Sequence, residues 1–200
     1  MPIQYTNRKD QTYYLHLGSN TSGQASYYFA MESEGNLADT IPPGYEVLEK
    51  PNGQVFLRKI PPKIIADEER SLVEKALERF CDLKDCRVEV KKDAIIVHTP
   101  NQDIEALSQL LDFGPVARRP DLQRILSRAV TYSPEMRFVL ADKEKRTFVV
   151  ERYCYSGSID DWIDVDGPAD LSKLVKYVKH LGKDSYFELS RYSGRKRMRG

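Results

Sequence analysis

Two tyrosine pairs, Tyr13-Tyr14 and Tyr27-Tyr28, constrain the start of this chain more than any other feature. They sit in the apolar runs Thr12–Leu17 and Ala25–Met31, and the polar stretch Gly18-Ser19-Asn20-Thr21-Ser22-Gly23-Gln24 lies between them. Aromatic residues suit a pleated, half-buried surface, and Gly/Asn/Ser clusters bound such strands. The pattern predicts a β-hairpin and so an ordered start, not a leader peptide. A second hairpin is expected over 44–60, where Tyr45–Glu49 and Val55–Leu57 flank Pro51-Asn52-Gly53. Asn-Gly tolerates the positive φ that tight hairpin turns demand. Pro42-Pro43 and Pro61-Pro62 bracket this hairpin, because proline cannot donate to a ladder. Residues 1–62 therefore read as an all-β module of four strands.

The periodicity then changes. Over 67–82, Leu72, Val73, Ala76, Leu77 and Phe80 recur at helical spacing, with Asp67 as expected N-cap. A hairpin turning at Lys92-Asp93 would put Val88, Val90, Ile95 and Val97 on one face and set His98 opposite Arg87. Helices are expected at 102–112 and 121–131, a central hairpin covered on both sides at 136–153, a helix at 169–181 ending before Gly182, and a short strand at Ser185–Leu189. The expected class is α+β: the N-terminal hairpin module, then an antiparallel or mixed sheet of two hairpins packed with about four helices. The domains are 1–62, 63–190 (one reading being a duplicated helix–hairpin–helix unit) and a flexible basic tail at 191–200.

Composition narrows the class. An apolar fraction of 40% and a charged fraction of 30% over 200 residues allow a real core. No apolar stretch approaches the roughly 20 residues of a membrane span, and residues 1–9 lack the apolar core of a secretory signal. Cys81, Cys86 and Cys154 are sparse and odd in number, with no Cys-x-x-Cys, which points to reduced thiols in the cytoplasm.

The strings Tyr13-Tyr14-Leu15-His16, Tyr27-Tyr28-Phe29-Ala30, Ile41–Val47 and Phe56-Leu57-Arg58-Lys59 together resemble a small prokaryotic module of uncharacterised proteins. The resemblance covers about the first third of the chain. It implies a prokaryotic source and no activity.

Known catalytic signatures are missing. The segment Asp160-Asp161-Trp162-Ile163-Asp164-Val165-Asp166-Gly167 reads as an acidic loop, but its spacing fails the calcium-loop pattern twice, at Trp162 and at Lys173. Glu89-Val90-Lys91 is similar to the Glu-x-Lys element of a large nuclease class, yet Asp82 and Asp85 lie too close to supply its upstream acid. His16, His98 and His180 fall on different elements without a ligand partner at metal spacing. Neither a nucleophile elbow nor a phosphate-cradling glycine loop is present. No cofactor, metal or catalytic residue is expected, and the balance leans away from an enzyme.

Charge supplies the positive signal. The net charge is +1, yet residues 169–200 carry nine bases against three acids, leaving residues 1–168 mildly acidic. Lys173, Lys176, Lys179, Arg195, Lys196, Arg197 and Arg199 are the expected phosphate contacts, with Arg124 and Arg128 in a second basic run. The reading is a cytosolic binding protein that contacts nucleic acid, or an acidic protein, through its C-terminal helix and tail, and no membrane. A protein–protein adaptor using Tyr13, Tyr14, Tyr27 and Tyr28 is the alternative, and an enzyme of unidentified class the third.

Overall fold

The structure, a computed structural model, describes residues 1–21, 23–103, 125, 128–156 and 159–190. The chain divides into two compact units. One comprises Met1–Pro61 with Gln102–Thr131, the other Pro62–Asn101 with Tyr132–Gly200.

In the first unit, β1 (Gln4–Thr6), β2 (Thr12–Ser19) and β3 (Ala25–Ala30) form an antiparallel sheet, and β4 (Tyr45–Glu49) pairs with β5 (Val55–Lys59). The tyrosine runs thus form the expected hairpin, with β1 added to its free edge. Asn7 organises the β1–β2 turn. Its Oδ1 accepts from the amides of Lys9 and Gln11, both at 2.9 Å, and its Nδ2 donates to Gly53 O at 2.6 Å. Glu49 accepts from the Tyr5 hydroxyl at 2.9 Å and the Arg8 amide at 3.0 Å. These bonds lock the β1–β2 turn onto the β4–β5 hairpin. A polar side chain as buried as Asn7 is tolerated there because each of its polar atoms has a partner.

The second unit is built on a five-stranded antiparallel sheet. Its strands are β6 (Arg87–Lys91), β7 (Ala94–Pro100), β8 (Tyr132–Asp142), β9 (Thr147–Ser156) and β10 (Ile159–Asp170), in the order β10-β9-β8-β7-β6. Val88 pairs with Val97 and Val90 with Ile95, as their spacing predicts, and Arg87 stands opposite His98. One sheet face packs Ile95, Val97, Met136, Phe138, Phe148 and Val150 against Val73, Ala76 and Leu77 of α1 (Asp67–Phe80) and against Leu174, Val178 and Leu181. Burying one such side chain contributes about 1.5–3 kcal/mol, so this layer is the main stabilising contact of the unit. The N-terminus of α1 is held by Glu69, which accepts from the Ala66 amide at 2.8 Å and is ion-paired with Arg146 of the β8–β9 turn. Ala66, not Asp67, is the N-cap; Asp67 pairs with Lys63 instead.

The expected α+β packing with about four helices is overturned. Among the described residues the chain is mostly β, with three sheets and about two helices. The acidic segment 160–166 is strand, not loop. Aspartate is a poor strand former in a sheet interior, but β10 is an edge, where outward carboxylates stay hydrated and deter further pairing. The expected helix at 169–181 begins only after β10 ends. It consists of α2 (Leu171–Leu174) and a 3₁₀ helix over Val175–His180. Ser185–Leu189, expected as a strand, holds part of the 3₁₀ turn Asp184–Tyr186, because Tyr186 turns inward. Its buried hydroxyl donates to the carbonyls of Glu135 and Tyr153, the latter at 3.1 Å. The 136–153 hairpin is central as expected, but Arg137, Val139, Val149 and Glu151 on its second face are only half-buried. The helices expected at 102–112 and 121–131 lie outside the described residues, apart from a few positions that include helical Ile125, Arg128 and Ala129.

Candidate functional site

The lysine row at the end of the second unit arises from helix geometry. From Val175 to Leu181 burial repeats every three residues: Val175, Val178 and Leu181 are buried, Lys176 and Lys179 exposed, Tyr177 and His180 half-buried. A 3₁₀ helix has three residues per turn and eclipses side chains at i and i+3. The same eclipse stacks Tyr177 on His180, with ring centroids 6.2 Å apart. Lys176 and Lys179 therefore stand in one column about 6 Å apart along the axis, and Lys173 lies three residues earlier, in α2. None of the three lysines has an ion pair among the described residues, although Arg70, Arg137, Arg146 and Lys183 of the same unit each meet a carboxylate.

The surroundings fix this row in place. Asp170 caps α2 by accepting from the Ser172 amide at 2.8 Å; hydrogen bonding from the Ser172 side chain first, then from its amide, with Lys173 nearby, holds its carboxyl below the usual range. Tyr177 donates to Asp166 at 2.7 Å; burial first, and then this bond, push its phenol up to about 12. His180 bonds Ser185 Oγ at 2.9 Å. Burial, followed by the charges of Lys179 and Lys183, pulls its imidazole below the ordinary histidine value. Downstream, Arg152 projects from β9 into the core face. It donates to Leu189 O at 2.6 Å and Phe187 O at 3.1 Å with its guanidinium 5.7 Å from the Tyr186 ring centre. Hydrogen bonds from a charged donor contribute about 1.5–3 kcal/mol each, so the segment after the lysine row is latched to the sheet.

The other expected site residues separate. Arg124, Arg195, Lys196, Arg197 and Arg199 lie outside the described residues. Arg128 belongs to the first unit and is ion-paired with Asp10. Tyr13 and Tyr27 share one face of their sheet with Leu15, and Tyr14 and Tyr28 share the other. Tyr28 is the most open of the four, 51% exposed and stacked on His16 at 5.3 Å, whereas the other three are half-buried. Gly18 lets the Tyr28 ring lie across β2, since a Cβ there would come within 3.2 Å of it.

The carboxylates of β10 are engaged one by one. Asp160 accepts from the Tyr153 hydroxyl, Asp161 from the Trp162 amide at 2.7 Å, and Asp166 from the Gly167 amide at 2.8 Å. His98 bonds Glu89 at 3.0 Å across the β6–β7 pair, which gives the strand glutamate of Glu89-Val90-Lys91 a cross-strand partner. Among the described residues no three His, Cys, Asp or Glu side chains gather as a metal site.

Two arrangements escape the sequence reading. Arg152 was one more base in an alternating strand, and only its register opposite Met136, on the core side, reveals it as a latch. Cys81 and Cys86 bring their sulfurs to 4.0 Å, although their spacing matches no redox motif. No helix among the described residues is long and apolar enough to cross a membrane. No family model, curated protein or solved structure matches this chain.

Proposed function

We propose that this protein binds nucleic acid through phosphate contacts made by the column of Lys173, Lys176 and Lys179. The observation that carries the reading is the exposure of three lysines, none with an ion pair among the described residues, on α2 and the 3₁₀ helix that continues it, whose buried residues belong to the core. A row of cations carried on an anchored backbone gains affinity for a polyanion by releasing its condensed counterions. Contacts to the phosphate backbone carry no sequence information directly. Arg195, Lys196, Arg197 and Arg199 follow it in the chain and add the same charge.

Fluorescence anisotropy with labelled single- and double-stranded DNA and RNA at low salt tests this. Binding is expected to weaken steeply with salt. Replacing all three lysines by alanine should flatten the slope of log K against log salt by roughly two to three, since each phosphate contact contributes about 0.7–0.9. Lack of binding to all four ligands at low salt, or an unchanged slope in the triple variant, refutes the reading. A second reading, a protein-binding adaptor, is favoured by the open Tyr28–His16 stack; a partner retained by wild type and lost by Tyr28→Ala would support it.

A further inference from the structure

We propose that Cys81 and Cys86 form a thiol–disulfide exchange site that reacts with low-molecular-weight disulfides and closes to an internal disulfide. Cys81 ends α1, its amide donating to Leu77 O at 3.0 Å, and Cys86 immediately precedes β6. Both ends of the intervening loop therefore belong to packed elements. The loop turns back at Asp85, whose φ is 60°, and this return brings the two sulfurs to 4.0 Å. Closure to a bond of about 2.05 Å needs an approach of roughly 2 Å. Both side chains are half-buried, within reach of solvent.

The two thiols are not equivalent. Hydrogen bonding from Cys86 first, then from the Leu83 backbone and last the charge of Lys183, brings the Cys81 pKa down to about 7 against opposition from burial and Asp82. The same bond, together with burial, pushes the Cys86 thiol up, so Cys86 holds its proton. Cys81 is thus the attacking sulfur, since the thiolate is the nucleophile, and Cys86 the resolving one. Deprotonated Cys81 Sγ attacks one sulfur of an external disulfide such as glutathione disulfide. The external S–S bond breaks and one glutathione thiolate departs with the electron pair. Cys86 then loses its proton to solvent, and its sulfur attacks Cys81 Sγ in the mixed disulfide, expelling the second glutathione. The external disulfide is reduced to two thiols, and the two protein thiols are oxidised to one disulfide.

The test uses the full chain, reduced and then exposed to excess glutathione disulfide at pH 7, quenched with acid and examined by intact mass and peptide mapping. The expected product has lost two hydrogens, links Cys81 to Cys86 and reverts with dithiothreitol. Cys86→Ser is expected to stop at one glutathione adduct on Cys81, Cys81→Ser to form no internal bond, and Cys154→Ser to behave as wild type. Alkylation of Cys81 in the reduced protein should be half-maximal at about pH 7. A wild type that stays fully reduced, that keeps glutathione adducts without internal closure, or that links through Cys154 overturns the proposal. Circular dichroism of each serine variant verifies that it is folded, and Cys→Ala variants replace any that is not.

Discussion

Gly167→Ala is the substitution whose outcome the geometry of the second unit determines most sharply. Gly167 lies in β10 within the register shift between Asp166 and Ala169, at φ +109°, a region that side chains rarely adopt. A Cβ built there would stand 2.6 Å from Phe148 O and 2.9 Å from Val149 Cα. Both are backbone atoms of β9, and Phe148 is fully buried at the centre of the core. β9 cannot retreat without displacing Phe148 and Val150. Backbone strain of about 1–3 kcal/mol and overpacking of about 1–3 kcal/mol combine to roughly 2–6 kcal/mol. At a urea m value of about 1.5 kcal/mol/M, the midpoint should fall by roughly 1.3–4 M with m unchanged. Trp162, the single tryptophan, sits on the same strand and reports the transition by fluorescence. Gly182→Ala is the internal comparison. Its φ is +73°, and its Cβ would meet Leu83 at 2.7 Å, but those atoms are the end of a side chain that can rotate. It should cost about 1–2 kcal/mol. If Gly167→Ala leaves the midpoint within error of wild type, or costs less than Gly182→Ala, the argument that β9 is immovable fails.

Two further outcomes follow from single hydrogen-bonded groups. Asn7→Ala leaves the Lys9 and Gln11 amides and Gly53 O without their partner, so the first unit should lose about 1–3 kcal/mol. Hydrogen exchange at the Lys9 and Gln11 amides should quicken, and unchanged exchange would refute the role given to Asn7. Tyr177 ionises at about 12 in the folded protein against an ordinary value near 10, so the unfolded chain releases its proton first as pH rises. Its contribution is whole below pH 10 and is lost between about 10 and 12. Urea midpoints measured from pH 8 to 11 should fall above pH 10 less steeply in Tyr177→Phe than in wild type, and equal slopes would count against the Tyr177–Asp166 bond.

Local chemistry made the hairpins legible. The tyrosine runs, Asn52-Gly53 and the alternation around Lys92-Asp93 each imposed a period of two with a turn at a fixed place, and the strands follow them. The failures fall where tertiary position overrode residue preference. Four aspartates between 160 and 166 read as loop because aspartate disfavours strands, but that preference holds least at an edge, and β9 supplied the partner. Pro134 was no guide to β8 either: a bulge between Val97 and His98 in the β7–β8 register accommodates it. Tyr186 looked like a strand residue, but its buried hydroxyl lies between the carbonyls of Glu135 in β8 and Tyr153 in β9. The pairing of Cys81 with Cys86 depended on the φ of Asp85, which no spacing rule encodes.

The lysine row shows how one change of helical period alters a functional inference. At 3.6 residues per turn, Lys173, Lys176, His180 and Lys183 share a stripe, and Lys179 drifts off it. At three residues per turn, Lys176 and Lys179 align, while His180 rotates onto Tyr177 and Ser185. The apolar residues Val175, Val178 and Leu181 satisfy either period, so the sequence leaves the choice open. The 3₁₀ helix follows α2, which Asp170 caps, and is followed by Gly182 at φ +73°, where an added Cβ would meet the Leu83 side chain at 2.7 Å. Lys183, drawn to Asp82 at 2.8 Å, is thereby withdrawn from the row. The candidate phosphate-contact surface is accordingly Lys173, Lys176 and Lys179, without the histidine and the fourth lysine that an α-helical wheel would assign to it.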